Sequence, residues 1–432
     1  MIIYTVKAGD DLNSIGLAFD VSPLDIAEVN GLNIGEPLVI GMNLVIPDET
    51  PGDEVTYTVV QGDTLFSISQ RFDVSVMDLI SLNALTFPFI IHPGDILIIR
   101  PAGDVGPTPP IETFGYYIQA GDPNASLIRF LGQFLTYIGV FDFPVTDAGE
   151  ITGVMNPNTL VAAQEVGSQI FPVLTNLVEG EFDSELGRII VSNREVINNL
   201  LNNIIDLLKQ YNLPGVMIDF ENLFPEDRNL FTNFIRLLSD RLHSQNKLLG
   251  VNIAPKWEDL PDRPWAGFFD YAALAPYMDL AAIMTYEWGW KGGPPTPTAP
   301  LPFVRRVLEF AIASGITPDK IIMGMTNYGY DWLLPYDPES LATTVVLEEM
   351  WTAGRVFNVP IVFDDEVKQS SIEYTDFNGI ERIAWFEDAL SHNYKYQLAL
   401  EFELRGVFYW TINFPLKATW YIVSNTFDIQ KG

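Results

Sequence analysis

Two stretches near the start of this chain are copies of one another, and that restricts its architecture more than any bulk property does. YTVKAGDDLNSIGLAFDVSPLDIAEVNGL, from Tyr4, aligns without a gap on YTVVQGDTLFSISQRFDVSVMDLISLNAL, from Tyr57. A unit repeated at this spacing is one small supersecondary module used twice. Each copy is predicted to run strand, turn, helix, helix, strand, with strands at 4–6 and 44–46 in the first and at 57–59 and 97–99 in the second. Ser22 followed by Pro23 reads as a helix start, the Ser as N-cap and the Pro at the first helical position, and Ser75 repeats the cap. Leu12, Ile15 and Phe19 recur as Leu65, Ile68 and Phe72 at helical spacing, so these six are expected in the module cores.

Both copies resemble LysM modules: they match the family's Y-x-V-x-x-G-D-x-L-x-x-I pattern, its Asn at Asn30 and Asn83, and its closing G-x-x-L-x-I. The resemblance implies two βααβ modules, at 1–48 and 54–101, that bind N-acetylglucosamine chains of peptidoglycan or chitin. It also implies that Gly9, Asp10, Gly62 and Asp63 lie near the sugar. The same four residues have a plainer reading as turn formers, Gly supplying a positive φ and Asp capping the helix that follows.

PAGDVGPTPP, residues 101–110, is stiff and extended in composition, and a linker is expected over 102–111. The remainder, 112–432, has roughly 320 residues, a length that suits one (β/α)8 barrel with an insertion. Apolar strand-like runs alternate there with helical stretches at 114–118, 135–141, 170–174, 215–220, 248–253, 280–286, 321–325 and 406–410. The stretch from about 329 to 405 is too long for one crossover helix and is expected to hold an α+β insertion between strands 7 and 8. The fold class is therefore α/β, a TIM barrel carrying two N-terminal modules.

Composition excludes several functions. The chain has 56 Asp+Glu against 24 Lys+Arg, a formal charge of −32, which repels nucleic acid and anionic membranes, so partners of neither kind are expected. It contains 0 Cys, which rules out disulfides, a thiolate nucleophile and Cys-ligated metal. His92, His243 and His392 stand apart in sequence, with no H-E-x-x-H, P-loop or G-x-S-x-G context, so no metal or cofactor is expected. MIIYTVKAGDD lacks the basic and apolar regions of a signal peptide, and no segment is long and apolar enough to span a membrane. A monomer is expected.

In a TIM barrel chemistry gathers at the C-terminal ends of the strands. The fourth ends PGVMIDFEN, where alternation puts Met217, Asp219 and Glu221 inward and Val216, Ile218 and Phe220 toward the helices. A D-x-E triplet alone says little, since 183–185 (DSE) and 364–366 (DDE) also provide one in polar surroundings. Asp219 and Glu221 differ in closing an apolar strand, where buried charge is costly without a purpose.

This part of the chain resembles family 18 glycoside hydrolases, whose fourth strand reads D-x-x-D-x-D-x-E, and within them the branch of spore-cortex-lytic N-acetylglucosaminidases. GVMIDFEN, MTYEWGWKGGPP from Met284, NYGYDW from Asn327, IERIAWFEDA and LRGVFYW carry the likeness in order. It implies a substrate-assisted retaining mechanism, the recognised exception to the two-carboxylate scheme. Glu221 would be the acid and base, Asp219 would orient the substrate's acetamido group, Tyr286 would hold the acetamido oxygen, and Trp410 would floor the −1 sugar. Glu287, Trp288, Asn327, Tyr328, Trp385 and Glu387 are further candidates for the cleft, each of which could equally serve packing. Two earlier Asp positions of the motif are Pro214 and Met217 here, which removes an inner carboxylate able to share a proton with Asp219. A barrel of this family without its acid would be a lectin; Glu221 favours hydrolysis. The substrate stays open between spore cortex peptidoglycan and chitin, with the branch favouring the former and a location at the spore coat or cortex, or the cell wall.

Overall fold

The computed structural model describes residues 1–47, 55–72, 76–83, 85, 90–100, 108–414 and 416–431. Ser75, expected as a cap, and residues 102–107 of the expected linker lie outside them. Eight parallel strands close into a barrel: β1 (Pro110–Ile118), β2 (Tyr137–Pro144), β3 (Gln169–Thr175), β4 (Gly215–Asp219), β5 (Leu248–Ile253), β6 (Leu280–Ile283), β7 (Ile321–Thr326) and β8 (Gly406–Trp410). Closure is made by β8 against β1, with Gly406 opposite Glu112 and Phe408 opposite Phe114. Each strand coincides with an apolar run expected from sequence. Strands buried on both faces are continuously apolar, and every residue of β4 is buried.

The helices are set by their ends and stripes. Arg194–Tyr211 begins at Asn193, whose side chain accepts from the Glu195 and Val196 amides, and stops at Asn212, which adopts φ 53°. Between these caps Val196, Ile197, Leu200, Ile204, Ile205 and Leu208 recur every three or four residues and are buried. At about 2 kcal/mol per fully buried aliphatic side chain, that stripe stabilises the helix by on the order of 10 kcal/mol, far more than its propensity.

Each N-terminal module is a βααβ unit with antiparallel strands, Ile2–Thr5 with Asn43–Ile46 and Val55–Thr58 with Ile96–Arg100. Ser22 caps Pro23–Asn30 as expected. Leu12, Ile15, Ile68 and Phe72 are buried, whereas Phe19 and Leu65 are half-buried against the same cluster. Asn30 explains its place in the pattern: its amide accepts from Val45 N (2.7 Å) and donates to Val45 O (2.7 Å), tying the second helix to the closing strand. Asn83 does the same for Ile98. The modules meet through Phe19, 5.8 Å from the Tyr57 ring and 5.6 Å from that of Phe72.

Between β7 and β8 the chain builds an antiparallel five-stranded sheet in the order Thr343–Val345, Gly329–Leu334, Glu381–Phe386, Gln369–Thr375, Ile361–Asp364, with helix Leu347–Phe357 on it. The helix Ala389–Glu401 that follows packs on the barrel helices Leu301–Ala313 and Lys417–Thr426 and leads into β8. The first module is seated on this sheet: Ile361 N donates to Ile40 O (2.9 Å), Val39 lies against Gly354, and Asn43 Nδ2 donates to the buried Asp388 carboxylate at 2.8 Å.

Candidate active site

A cavity of about 1000 Å³ opens at the C-terminal ends of the strands, and Asp219 and Glu221 both line it. The inward and outward alternation of β4 holds. Phe220 points outward and stacks on Phe234 of helix Arg228–His243 at 5.7 Å. Met217 is buried and fills the interior, its thioether packed where a side chain on Gly250 of β5 would otherwise stand. No carboxylate occupies the Met217 position. Asn252, also on β5, takes up the partnership with Asp219 instead: its Nδ2 donates to Asp219 Oδ1 at 2.8 Å, while its Oδ1 accepts from the Tyr116 hydroxyl of β1.

Glu221 is set by a clamp on its main chain. Asn176, just beyond β3 and fully buried, accepts from Glu221 N (2.9 Å) and donates to Glu221 O (2.9 Å). Part of Glu221 is open to the cavity, yet the surrounding protein desolvates its carboxyl. That burial, with the like charges of Asp219 and Glu287 behind it, holds Glu221 well above the usual carboxylate range. Burial also drives Asp219 up to about 7; the Asn252 amide pulls it back and the Asp142 charge pushes it further. Burial thus raises both carboxyls, and a raised carboxyl at a cavity wall is the kind of group that serves as a general acid.

The other walls are aromatic. Trp410, at the end of β8, meets Tyr116 edge to face at 5.5 Å and Phe141 at 5.0 Å, forming the floor. Tyr286 lines the cavity and is nearly buried, with burial keeping its hydroxyl protonated. Glu287 follows it at φ 65° and is buried enough to lie above its ordinary range, an effect the Tyr328 and Tyr330 hydroxyls partly offset by donating to its Oε1. Trp288 stands at the rim, 44% exposed.

Three expected cleft residues are elsewhere. Glu387 is buried behind the wall, where Lys395 Nζ contacts both its oxygens at 2.9 Å and Ser391 Oγ donates at 2.6 Å, so its charge serves structure. Asn327 is buried and donates to Thr411 O at 3.3 Å. Trp385 pairs across the insertion sheet with Tyr330 and packs on the Tyr328, Tyr330 and Trp332 cluster. Of the alternative triplets, Asp183 is used as the N-cap of Ser184–Ser192. His92, His243 and His392 are all away from the cavity walls. Sequence reasoning missed Tyr116, Asn252 and Asn176. The first two sit at polar inward positions of otherwise apolar strands, a legible signal; Asn176 offers none, because its function is to the main chain of a distant loop.

In the modules Gly9 and Gly62 are exposed and adopt φ 90° and 95°, the conformation for which glycine is suited. Asp10 and Asp63 do not cap the next helix. Asp11 caps the first, and Thr64 Oγ1 accepts from Ser67 N in the second. The Asp10 carboxylate instead takes the Tyr4 hydroxyl (2.6 Å) and Lys7 N (2.8 Å). Asp63 takes the Tyr57 hydroxyl (2.7 Å), Val60 N (2.9 Å) and Arg71 (2.6 Å). Lys7 of the first module also reaches Asp63 at 3.6 Å, so both carboxylates are taken up by protein groups while Gly9 and Gly62 stay exposed beside them.

Residues 4–47 and 57–100 match the LysM domain, and residues 180–414 match the glycosyl hydrolases family 18. The cortical fragment-lytic enzyme of Bacillus subtilis is 32% identical, over 100% of this chain and 99% of that one. Among solved structures, the spore cortex-lytic enzyme SleL of Bacillus cereus superposes with a TM-score of 0.86 at 30% identity, covering 99% of this chain and 98% of that one. SleL of Bacillus megaterium gives 0.84 at 32% identity, over 100% and 99%. A chitinase from Chromobacterium violaceum, 19% identical with a TM-score of 0.67 over 73% of this chain, shares the barrel fold. The chain belongs to the family 18 glycoside hydrolases and carries two N-terminal LysM domains.

Proposed function

We propose that this enzyme hydrolyses β-1,4 bonds after N-acetylglucosamine in spore cortex peptidoglycan, by a substrate-assisted retaining mechanism. The observation that carries the reading is the pairing of Asp219 and Glu221, both raised by burial, in one aromatic-lined cavity. Glu221 gives its proton to the glycosidic oxygen as the C1–O bond breaks. The acetamido carbonyl of the same sugar attacks C1 and closes an oxazolinium ring. Asp219, held on one oxygen by Asn252, accepts the acetamido N–H with the other and stabilises the developing positive charge. Tyr286 donates to the acetamido oxygen. Water then adds to C1, returns its proton to Glu221 and opens the ring with net retention. An enzyme nucleophile is unnecessary, which fits a cavity whose third carboxylate, Glu287, is bound by two tyrosines.

The acetamido requirement puts N-acetylglucosamine in the −1 position and excludes muramic lactam there, since that sugar has no free acetamido group. The cortex is preferred because full-length relatives named for cortical fragment lysis are 32% identical. It also agrees with a location at the spore cortex or coat. Chitin is the second reading, favoured by the exposed glycine turns of modules that bind neutral amino-sugar chains. The test is mass spectrometry of fragments released from cortex peptidoglycan and from chitin oligomers by the native chain and by Glu221→Gln. Fragments with reducing-end N-acetylglucosamine, absent with the variant, are expected from the cortex. Release from chitin alone would move the substrate to chitin, and release from neither would make this chain a lectin.

A further inference from the structure

We propose that Trp290 and Lys291 form a subsite for a carboxylate-bearing amino sugar, an N-acetylmuramoyl unit flanking the N-acetylglucosamine that is cleaved; the inference rests on the function proposed above. The loop after β6 is a built shelf rather than a loose connection. It doubles back on itself, with Trp288 N donating to Thr298 O (3.0 Å) and Gly289 N to Pro297 O (2.9 Å). The insertion pins its tip: Trp332 Nε1 donates to Gly293 O (2.8 Å), the Tyr336 hydroxyl to Gly292 O (3.2 Å), and Ala342 N to Lys291 O (2.7 Å). Gly292 and Gly293 lie against the indole of Trp290, where an added Cβ would come within 2.4 and 2.7 Å of it. The ring therefore rests on bare main chain, 50% exposed, at the cavity wall. An aromatic face held in this way is a stacking surface for a pyranose ring.

Lys291 supplies the charge. It is the only Lys, Arg or His among the described residues that line the cavity, whose acidic members are Asp219, Glu221 and Glu287. Its main chain is fixed, and its charge acts on the Glu287 carboxylate, which the Tyr328 and Tyr330 hydroxyls already hold. In a chain of formal charge −32 a carboxylate-bearing polymer is repelled overall, so the one cationic side chain among the described residues of the wall is where such a group gains a local attraction. Chitin carries no carboxylate. A muramoyl unit does, on its lactyl ether or at the end of an attached peptide, and beside a stacking face the two features recognise that sugar and not a neutral one.

The test is steady-state kinetics on soluble muramoyl-containing oligomers and on chitin oligomers of equal length, for the native enzyme, Lys291→Gln, Lys291→Arg and Trp290→Ala. One ion pair in a water-filled cleft is worth about a 3- to 5-fold change in affinity at low salt. Lys291→Gln is expected to raise KM for muramoyl oligomers by that factor, leave kcat and the chitin oligomers unchanged, and lose the difference in concentrated NaCl. Lys291→Arg should restore the native KM, and Trp290→Ala should raise KM for both substrates. Methyl-esterified oligomers should cost the native enzyme the same factor and Lys291→Gln nothing. Oligomers with a free lactyl acid but no peptide, compared with peptide-bearing ones, separate the two carboxylate sources. An equal effect of Lys291→Gln on both substrates, or on neither, overturns the subsite while leaving cortex hydrolysis standing. If the native enzyme cuts no muramoyl oligomer at all, both ideas fail together.

Discussion

Replacing Asp219 with Asn should make the protein more stable and nearly inactive, and the gain in stability should depend on pH. The isosteric amide keeps an oxygen to accept from Asn252 Nδ2 and removes only the charge. Burial raises the carboxyl from 3.8 to about 7 in the folded chain. Below pH 3.8 it is protonated both folded and unfolded, so its burial carries no ionic penalty. As pH rises toward 7 the unfolded chain releases the proton while the folded one retains it, and the folded state loses stability; above 7 the full deficit is present. A gap of about three pH units corresponds to about 4 kcal/mol. With an unfolding entropy of about 2.1 cal/mol/K per residue over a barrel of roughly 320 residues, that is about 6 °C in Tm. Thermal melts of both proteins at pH 4 and pH 8 read it directly: superimposable Tm values at pH 4 and a variant higher by several degrees at pH 8. A Tm difference independent of pH, or a variant less stable at pH 8, would refute the claim that burial raises the Asp219 carboxyl. The same charge helps to raise Glu221, so the alkaline limit of any residual activity should also fall.

Further consequences follow from the same geometry. Glu221→Gln should lower kcat by at least about 10³-fold with little change in glycan binding, measured by steady-state kinetics and calorimetry, because the acid acts only on the reacting bond. Asn252→Ala removes a charge-assisted hydrogen bond of about 1.5–3 kcal/mol, so the acid limb of the kcat/KM profile should move up from about 7 by one to two pH units; an unmoved limb would mean that Asn252 does not lower the Asp219 carboxyl. Asn43→Ala takes one of the hydrogen bonds from the buried Asp388 carboxylate, which Ser370 Oγ also contacts at 2.6 Å. It should cost about 1–3 kcal/mol in thermal melts without altering kcat on a soluble substrate, the signature of a LysM domain seated on the catalytic body.

The barrel, its strands and the two modules could be read from the sequence because they depend on periodicity and repetition, both local. The end of β4 was legible for the same reason: alternation alone places Asp219 and Glu221 inward once the strand is recognised. Glu387 was misplaced because a carboxylate in an apolar run reads as functional until its partner is known, and Lys395 reaches it from the next helix. Asp10 and Asp63 look like helix caps until Tyr4 and Tyr57 are seen to claim them.

What the sequence determined by itself is whatever neighbouring residues decide together: the strand and helix periods, the duplicated module, the acid pair and the family to which they belong. Only the tertiary structure decided which amide replaces the carboxylate lost at Met217, what clamps the main chain of Glu221, and where the first LysM domain sits on the insertion. Each of these joins residues far apart in the chain, Asn252 to Asp219, Asn176 to Glu221 and Asn43 to Asp388. A hydrogen bond depends on distance and direction in space, and the order of residues along the chain carries neither until the barrel has closed.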